Sequence, residues 1–154
     1  SYSISLSQNK MRNFTEYIDD YDNNTQQIIP HHITDISFSP SIVQSLTVNV
    51  LPMQNVELTW LGKHVGKQYL DNTNADTRKL KSFVVNDFRA TYSLQNKLVK
   101  EARFICQINN LFDIKYESNG YIYSSYISGG TYIYNNYYFP MAGRNIMLAL
   151  NIKI

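Results

Sequence analysis

Long apolar runs are missing from this chain: no stretch approaches the about 18 consecutive apolar residues that a spanning helix needs, which excludes a helical membrane protein. Membrane strands are not excluded, because their alternation averages out along the sequence. Charge is scarce too, with 17% of residues charged and a net charge of +2. Lys and Arg are scattered rather than gathered into a stripe, so nucleic acid is not an expected partner. The single cysteine, Cys106, rules out an internal disulfide, and within Phe104-Ile-Cys-Gln-Ile108 it reads as a small packing residue. No triad order, phosphate loop or pair of carboxylates on one element is present, so no enzyme is expected. No repeat of fixed period points to a solenoid or propeller. No signal peptide precedes Ser1, and the chain opens inside the strand-like stretch Tyr2-Ser-Ile-Ser-Leu6, so a piece of a longer polypeptide is expected.

What is present is alternation. Six segments alternate with period two, at about 1–12, 38–50, 55–66, 82–94, 101–111 and 143–154. The last puts Ile146, Leu148, Leu150, Ile152 and Ile154 on one face and Asn145, Met147, Ala149, Asn151 and Lys153 on the other. In the second, Leu46, Val48 and Val50 oppose Ser45, Thr47 and Asn49. In the fourth, Phe88, Ala90, Tyr92 and Leu94 oppose Asp87, Arg89, Thr91 and Ser93. Polar residues along the second face suit a wet lumen better than a dry core.

The connections alternate as well, long then short: 13–37, 51–54, 67–81, 95–100 and 112–142. Short turns on one side and long loops on the other mark outer-membrane barrels. Leu51-Pro-Met-Gln54 and Gln95-Asn-Lys-Leu98 are the expected short turns. The expected fold is therefore all-β: an antiparallel transmembrane β-barrel. Six strands cannot close around polar side chains, and an open sheet would leave unpaired amides in hydrocarbon, so further strands are expected.

Four blocks add a resemblance. They are Asn13-Phe-Thr-Glu-Tyr-Ile-Asp-Asp20; Trp60-Leu-Gly-Lys-His-Val-Gly-Lys-Gln-Tyr-Leu-Asp-Asn72 followed by Arg78-Lys-Leu80; Asn109-Asn-Leu-Phe-Asp-Ile-Lys-Tyr-Glu-Ser-Asn-Gly120; and Tyr137-Tyr-Phe-Pro-Met-Ala-Gly-Arg144. In this order they resemble the C-terminal part of a TonB-dependent outer-membrane receptor of the form common among Bacteroidetes-like, Gram-negative bacteria. The resemblance implies that residues 1–154 are about six C-terminal strands of a larger plugged barrel. It also implies energised uptake of a scarce nutrient, a chelated metal or an oligosaccharide, by the whole receptor. Neither the plug domain nor the TonB box lies in this chain, so TonB would act only through the part N-terminal to it. The other implied partners are outer-membrane lipid and lipopolysaccharide, the barrel-assembly machinery and a surface lipoprotein on the outer face. Ile146, Leu148, Leu150, Ile152 and Ile154 would form the assembly signal, although such receptors usually end in an aromatic residue where this chain has Ile154.

Within 112–142 lie eight of the thirteen tyrosines, and Tyr121, Tyr123, Tyr126, Tyr132 and Tyr134 are the candidate ligand-binding set. Tyrosine offers flat apolar area with a polar handle at modest entropic cost. Read blandly, the same residues are an aromatic girdle, headed by Tyr137 and Tyr138, with strand continuation beyond the membrane. Glu16, Asp19, Asp20 and Asp22 read as a solvated acidic loop, because the glycine and bidentate glutamate of a calcium loop are missing. His31 and His32 point to opposite faces of a strand and have no third ligand, so no metal and no cofactor is expected. Arg78, Lys79 and Lys81 beside Asp71 and Asp76 read as a mixed-charge loop. The competing reading is a secreted β-sandwich carbohydrate-binding module whose Tyr-rich loop docks sugar. A small porin-like barrel without a plug is a third.

Overall fold

The computed structural model describes residues 1–95 and 100–153, and every regular element among them is a β-strand. In chain order these are β1 (Tyr2–Leu6), β2 (Lys10–Asp20), β3 (Thr25–Asp35), β4 (Ile42–Met53), β5 (Val56–Val65) and β6 (Gln68–Tyr69). Then follow β7 (Lys79–Leu80), β8 (Phe83–Leu94), β9 (Glu101–Asn109), β10 (Glu117–Ser128), β11 (Thr131–Pro140) and β12 (Asn145–Lys153). The alternating segments of the sequence become one antiparallel six-stranded sheet in the order β1-β4-β5-β8-β9-β12. Each strand lies beside its predecessor among the six, and the sheet is open: it does not close into a barrel.

Register makes the two faces explicit. Tyr2 lies opposite Leu46, Val48 opposite Trp60, Trp60 opposite Phe88, Phe88 opposite Ile108 and Ile108 opposite Ile146. One row further, Val50, Leu58, Ala90, Cys106 and Leu148 line up, and beyond them Val56, Tyr92, Phe104 and Leu150. Side chains on opposed residues share a face, so a single apolar surface crosses all six strands. The opposite surface carries Ser45, Thr47, Thr59, Lys63, Asp87, Arg89, Arg103, Gln107 and Asn145. There Arg89 Nε donates to Gln107 Oε1, Gln107 Nε2 to Asn109 Oδ1, and Asn109 Nδ2 to Asn145 Oδ1, a polar chain running across the strands.

Three excursions leave this sheet, all from one end. Leu6 and Ile42, Val65 and Phe83, and Asn109 and Asn145 are the paired residues from which they depart. The stretch 13–37, expected as a loop, is instead a long hairpin, β2–β3, and 112–142 forms the hairpin β10–β11, in which Tyr121, Tyr123, Tyr132 and Tyr134 lie on strands as their alternation implied. Tyr126 and Ile127 of β10 pair in parallel with Asp19 and Asp20 of β2, joining the hairpins into a four-stranded sheet in the order β11-β10-β2-β3. The excursion between these two in chain order, the second, is short and contains the β6–β7 pair.

Other boundaries also move. The first expected segment, 1–12, breaks after Leu6, where Ser7 N–H donates to Ser41 O and the chain leaves the sheet; residues 10–12 already belong to β2. The first short turn falls at Gln54-Asn55 rather than 51–54, because Asn55 accepts a left-handed backbone (φ 73°) that leads straight into β5. Pro52 therefore lies inside β4, within an irregular stretch of register. Of the other expected turn, 95–98, residues 96–98 lie outside the described residues, as does Ile154.

Candidate functional site

Burial separates the molecule into two regimes. In the six-stranded sheet only Val65 is buried. The apolar surface is bare, with Leu148 79% and Leu150 52% exposed, and Ile146, Ile152, Val48, Val50, Phe104 and Tyr92 also in the open. Each such side chain left in water forgoes about 1.5–3 kcal/mol of burial. A surface of this extent exceeds the scattered exposed apolar residues of an ordinary protein surface. It contains a shallow hollow over Ala90 and Cys106, walled by Tyr92, Phe104 and Leu148.

The core lies instead in the excursions, which form a cap. Ile18 of β2, Ile127 of β10, Leu80 of β7, and Tyr69 and Leu70 between them are buried there. Gly120 on β10 lies so close to Tyr137 O and Leu70 Cδ2 that a Cβ would approach them to 2.6 and 3.1 Å. Local chemistry closes the hairpin ends. Gly129 and Gly130 supply the positive φ values (61° and 68°) of the β10–β11 turn. Their N–H groups both donate to the Asp22 carboxylate, at 2.9 and 2.8 Å, tying this turn to the β2–β3 turn. In that second turn Asp20 accepts from Asn23 Nδ2 and from the N–H groups of Asp22 and Asn23. The Asn23 hydrogen bond, with the backbone donors behind it, holds the Asp20 carboxyl below the usual carboxylate range.

Arg78 occupies the centre of the cap and is a correction to the mixed-charge loop expected for 78–81. Its side chain is buried, and its guanidinium reaches Glu16 Oε1 on β2 at 2.6 Å and Asp71 Oδ2 at 2.7 Å. It also sits over the Tyr134 ring of β11, 4.1 Å from the centroid. Burial opposes its charge, but the hydrogen bonds to Asp71 and Glu16 overcome this and raise its pKa above the ordinary arginine value. On the second oxygen of Glu16 lies His31 Nε2, at 3.1 Å, with the His31 ring stacked on Phe14. Lys79 and Lys81 keep the surface positions expected of them.

The acidic stretch is solvated only in part: Glu16 and Asp20 face inward, whereas Asp19, paired with Gln26, and Asp22, which holds the glycine turn, are exposed. Among the described residues no three His, Cys, Asp or Glu side chains converge to hold a metal ion.

The tyrosine set expected to bind ligand divides. Tyr134 lies beneath Arg78, and Tyr132 stacks on Tyr134 (6.2 Å) while donating its hydroxyl to Gln27. Tyr126 packs on Tyr21 at 5.1 Å. Tyr121 and Tyr123 join Tyr137 and Phe139 in an exposed aromatic ladder: Tyr121 stacks on Tyr137 at 5.3 Å, and Tyr123 meets Tyr137 edge-on at 6.3 Å. Ladder membership follows strand pairing, Tyr121 being opposite Tyr137, and so crosses the set read from sequence. Arg78 and Glu16 were absent from that set. The available signal was Glu16 alternating with Phe14 and Ile18, which marks it as inward-facing.

No protein-family model matches the chain, and no curated protein matches it.

Proposed function

We propose that this chain is the C-terminal barrel portion of a TonB-dependent outer-membrane receptor, taking part in energised uptake of a scarce nutrient as a section of the whole protein. One observation carries the reading: an apolar surface that reaches all six strands and is left uncovered among the described residues, with a hydrogen-bonded polar surface behind it. Hydrocarbon outside and a wet lumen inside satisfy both surfaces at once. Strands β4, β5, β8, β9 and β12 are 9 to 12 residues long, close to the about 9–11 that cross a bilayer when tilted.

The outer edge of β12 carries no partner strand among the described residues, and β1 covers β4 only from Ile42 to Leu46. Each unpaired backbone group costs several kcal/mol in hydrocarbon, so under this reading further strands flank the sheet. The cap then faces the cell exterior with the long excursions, and the Gln54-Asn55 turn faces the periplasm. The four resembling blocks support the receptor class, and the proposed partners are lipid, lipopolysaccharide, the assembly machinery and, through the N-terminal part, TonB. A β-sandwich module would need a second sheet over the apolar surface; the four-stranded sheet leaves that surface exposed.

The test is the complete polypeptide carrying this sequence, recovered from outer membranes and refolded in detergent. A species several times 17.9 kDa that migrates as a compact, heat-modifiable barrel is the expected result. A soluble species near 17.9 kDa would contradict the reading.

A further inference from the structure

We propose that Arg78 is a three-way clasp that makes the three excursions a single mechanical unit, which loosens or holds together as one. The inference stands on the cap's geometry and does not depend on the membrane reading. Arg78 belongs to the excursion between β5 and β8, yet its guanidinium bonds to Glu16 in the first excursion and covers Tyr134 in the third, while Asp71 holds it from its own side. Thr77 O, the neighbouring backbone carbonyl, accepts from Asn136 Nδ2 of β11, a second tie between the same two excursions at 2.8 Å. Two further ties anchor other corners. Asn74 Oδ1 accepts from Asp35 N–H at the end of β3, and Asn72 Oδ1 accepts from Ser37 N–H.

The energetic logic concentrates control in one residue. A buried cation is costly unless its charge partners stay in place, so Glu16 and Asp71 cannot separate from Arg78 independently. Among the described residues the first and third excursions meet directly through the short parallel pairing at Asp19–Asp20, the Asp22 turn contacts and the Tyr132 and Tyr21 contacts near the hairpin tips. Nearer the sheet the third excursion is linked to the first through Arg78. Opening the clasp therefore loosens the middle of both hairpins, which the turn contacts at their tips do not hold.

Hydrogen–deuterium exchange on the complete protein, in whichever medium it folds, tests this. Arg78→Met keeps the stem and removes the charge; Glu16→Gln keeps the shape and an acceptor oxygen but removes the charge of one arm. The expected result is an exchange increase of about tenfold in peptides from β2–β3, β6–β7 and β10–β11 together in Arg78→Met, and a smaller rise in the same three in Glu16→Gln. The six-stranded sheet should keep its protection. A rise confined to 66–81, or no rise, would overturn the clasp. Should Arg78→Met unfold the sheet as well, Glu16→Gln decides: a shared rise supports the clasp and a rise limited to β2–β3 overturns it.

Discussion

At the scale of residues, the cap depends on a few positions whose chemistry has no substitute. Gly120 is one, because Tyr137 O and Leu70 fill the space where a Cβ would sit. Gly120→Ala is expected to cost about 1–3 kcal/mol by pushing β10 off β11 and Leu70, read as a lower midpoint in denaturant unfolding. Asp22 is another, since its two oxygens take the N–H groups of Gly129 and Gly130 from a turn far along the chain. Asp22→Asn should weaken this tie and raise exchange at the β10–β11 turn, with the hairpin bases unaffected.

Acid should act on the same region. Asp20 is held below its ordinary pKa by Asn23 and backbone donors, and Asp113 by the Arg144 N–H and then Lys115. A carboxyl with a depressed folded pKa contributes stability that is complete above its unfolded pKa and disappears as pH falls through the folded one. Protection of the β2–β3 turn and of the 110–114 turn should therefore hold from neutrality downward and decline below about pH 4. Exchange measured across that range checks it; protection that declines on raising the pH would have the wrong sign.

At the scale of elements, β12 offers the cleanest contrast because its neighbouring residues face opposite surfaces. Leu148→Arg should cost about 2–4 kcal/mol in a bilayer-refolded protein if its apolar face meets lipid, whereas Ala149→Arg on the polar face should change stability little. Equal costs for the two would count against a lipid-facing surface. Element scale is also where sequence and structure part company. The six alternating segments were legible because polar and apolar residues separate cleanly between their faces, as at Leu46 to Val50 or Ile146 to Ile152. The β2–β3 hairpin was not, because its inward face is itself polar: Glu16, Asp20 and Thr34 stand where alternation would show apolar side chains. Irregular backbone hides the period further. Asn13 adopts a left-handed φ of 56° between Arg12 and Phe14, and β10 slips register between Ile122 and Ser124. Of the tyrosine set, the strand alternation of Tyr121 with Tyr123 and of Tyr132 with Tyr134 was readable, but the Arg78–Tyr134 stack joins positions far apart in sequence and needed the fold.

For the whole molecule, the two regimes of burial describe a protein whose stability is divided. The cap has its own small core around Ile18, Leu80 and Ile127. The six-stranded sheet has hydrogen bonds but almost no buried side chain, so its stability must come from whatever meets its two surfaces. In a membrane receptor that contribution would come from lipid on one side and from the lumen on the other, and the cap would stand clear of both as a rigid outer piece.

The most direct measurement of that division is a spin-label scan of β12 in the complete protein reconstituted in lipid. Cys106 is first replaced by Ser, since it lies on the apolar surface and would itself take label. Single cysteines are then placed from Ile146 to Ile152. A membrane-facing surface predicts that labels at Ile146, Leu148, Leu150 and Ile152 collide with dissolved oxygen and those at Met147, Ala149 and Asn151 with a water-soluble nickel chelate, in strict alternation. Uniform access of the nickel chelate to all seven positions would contradict a lipid-facing sheet.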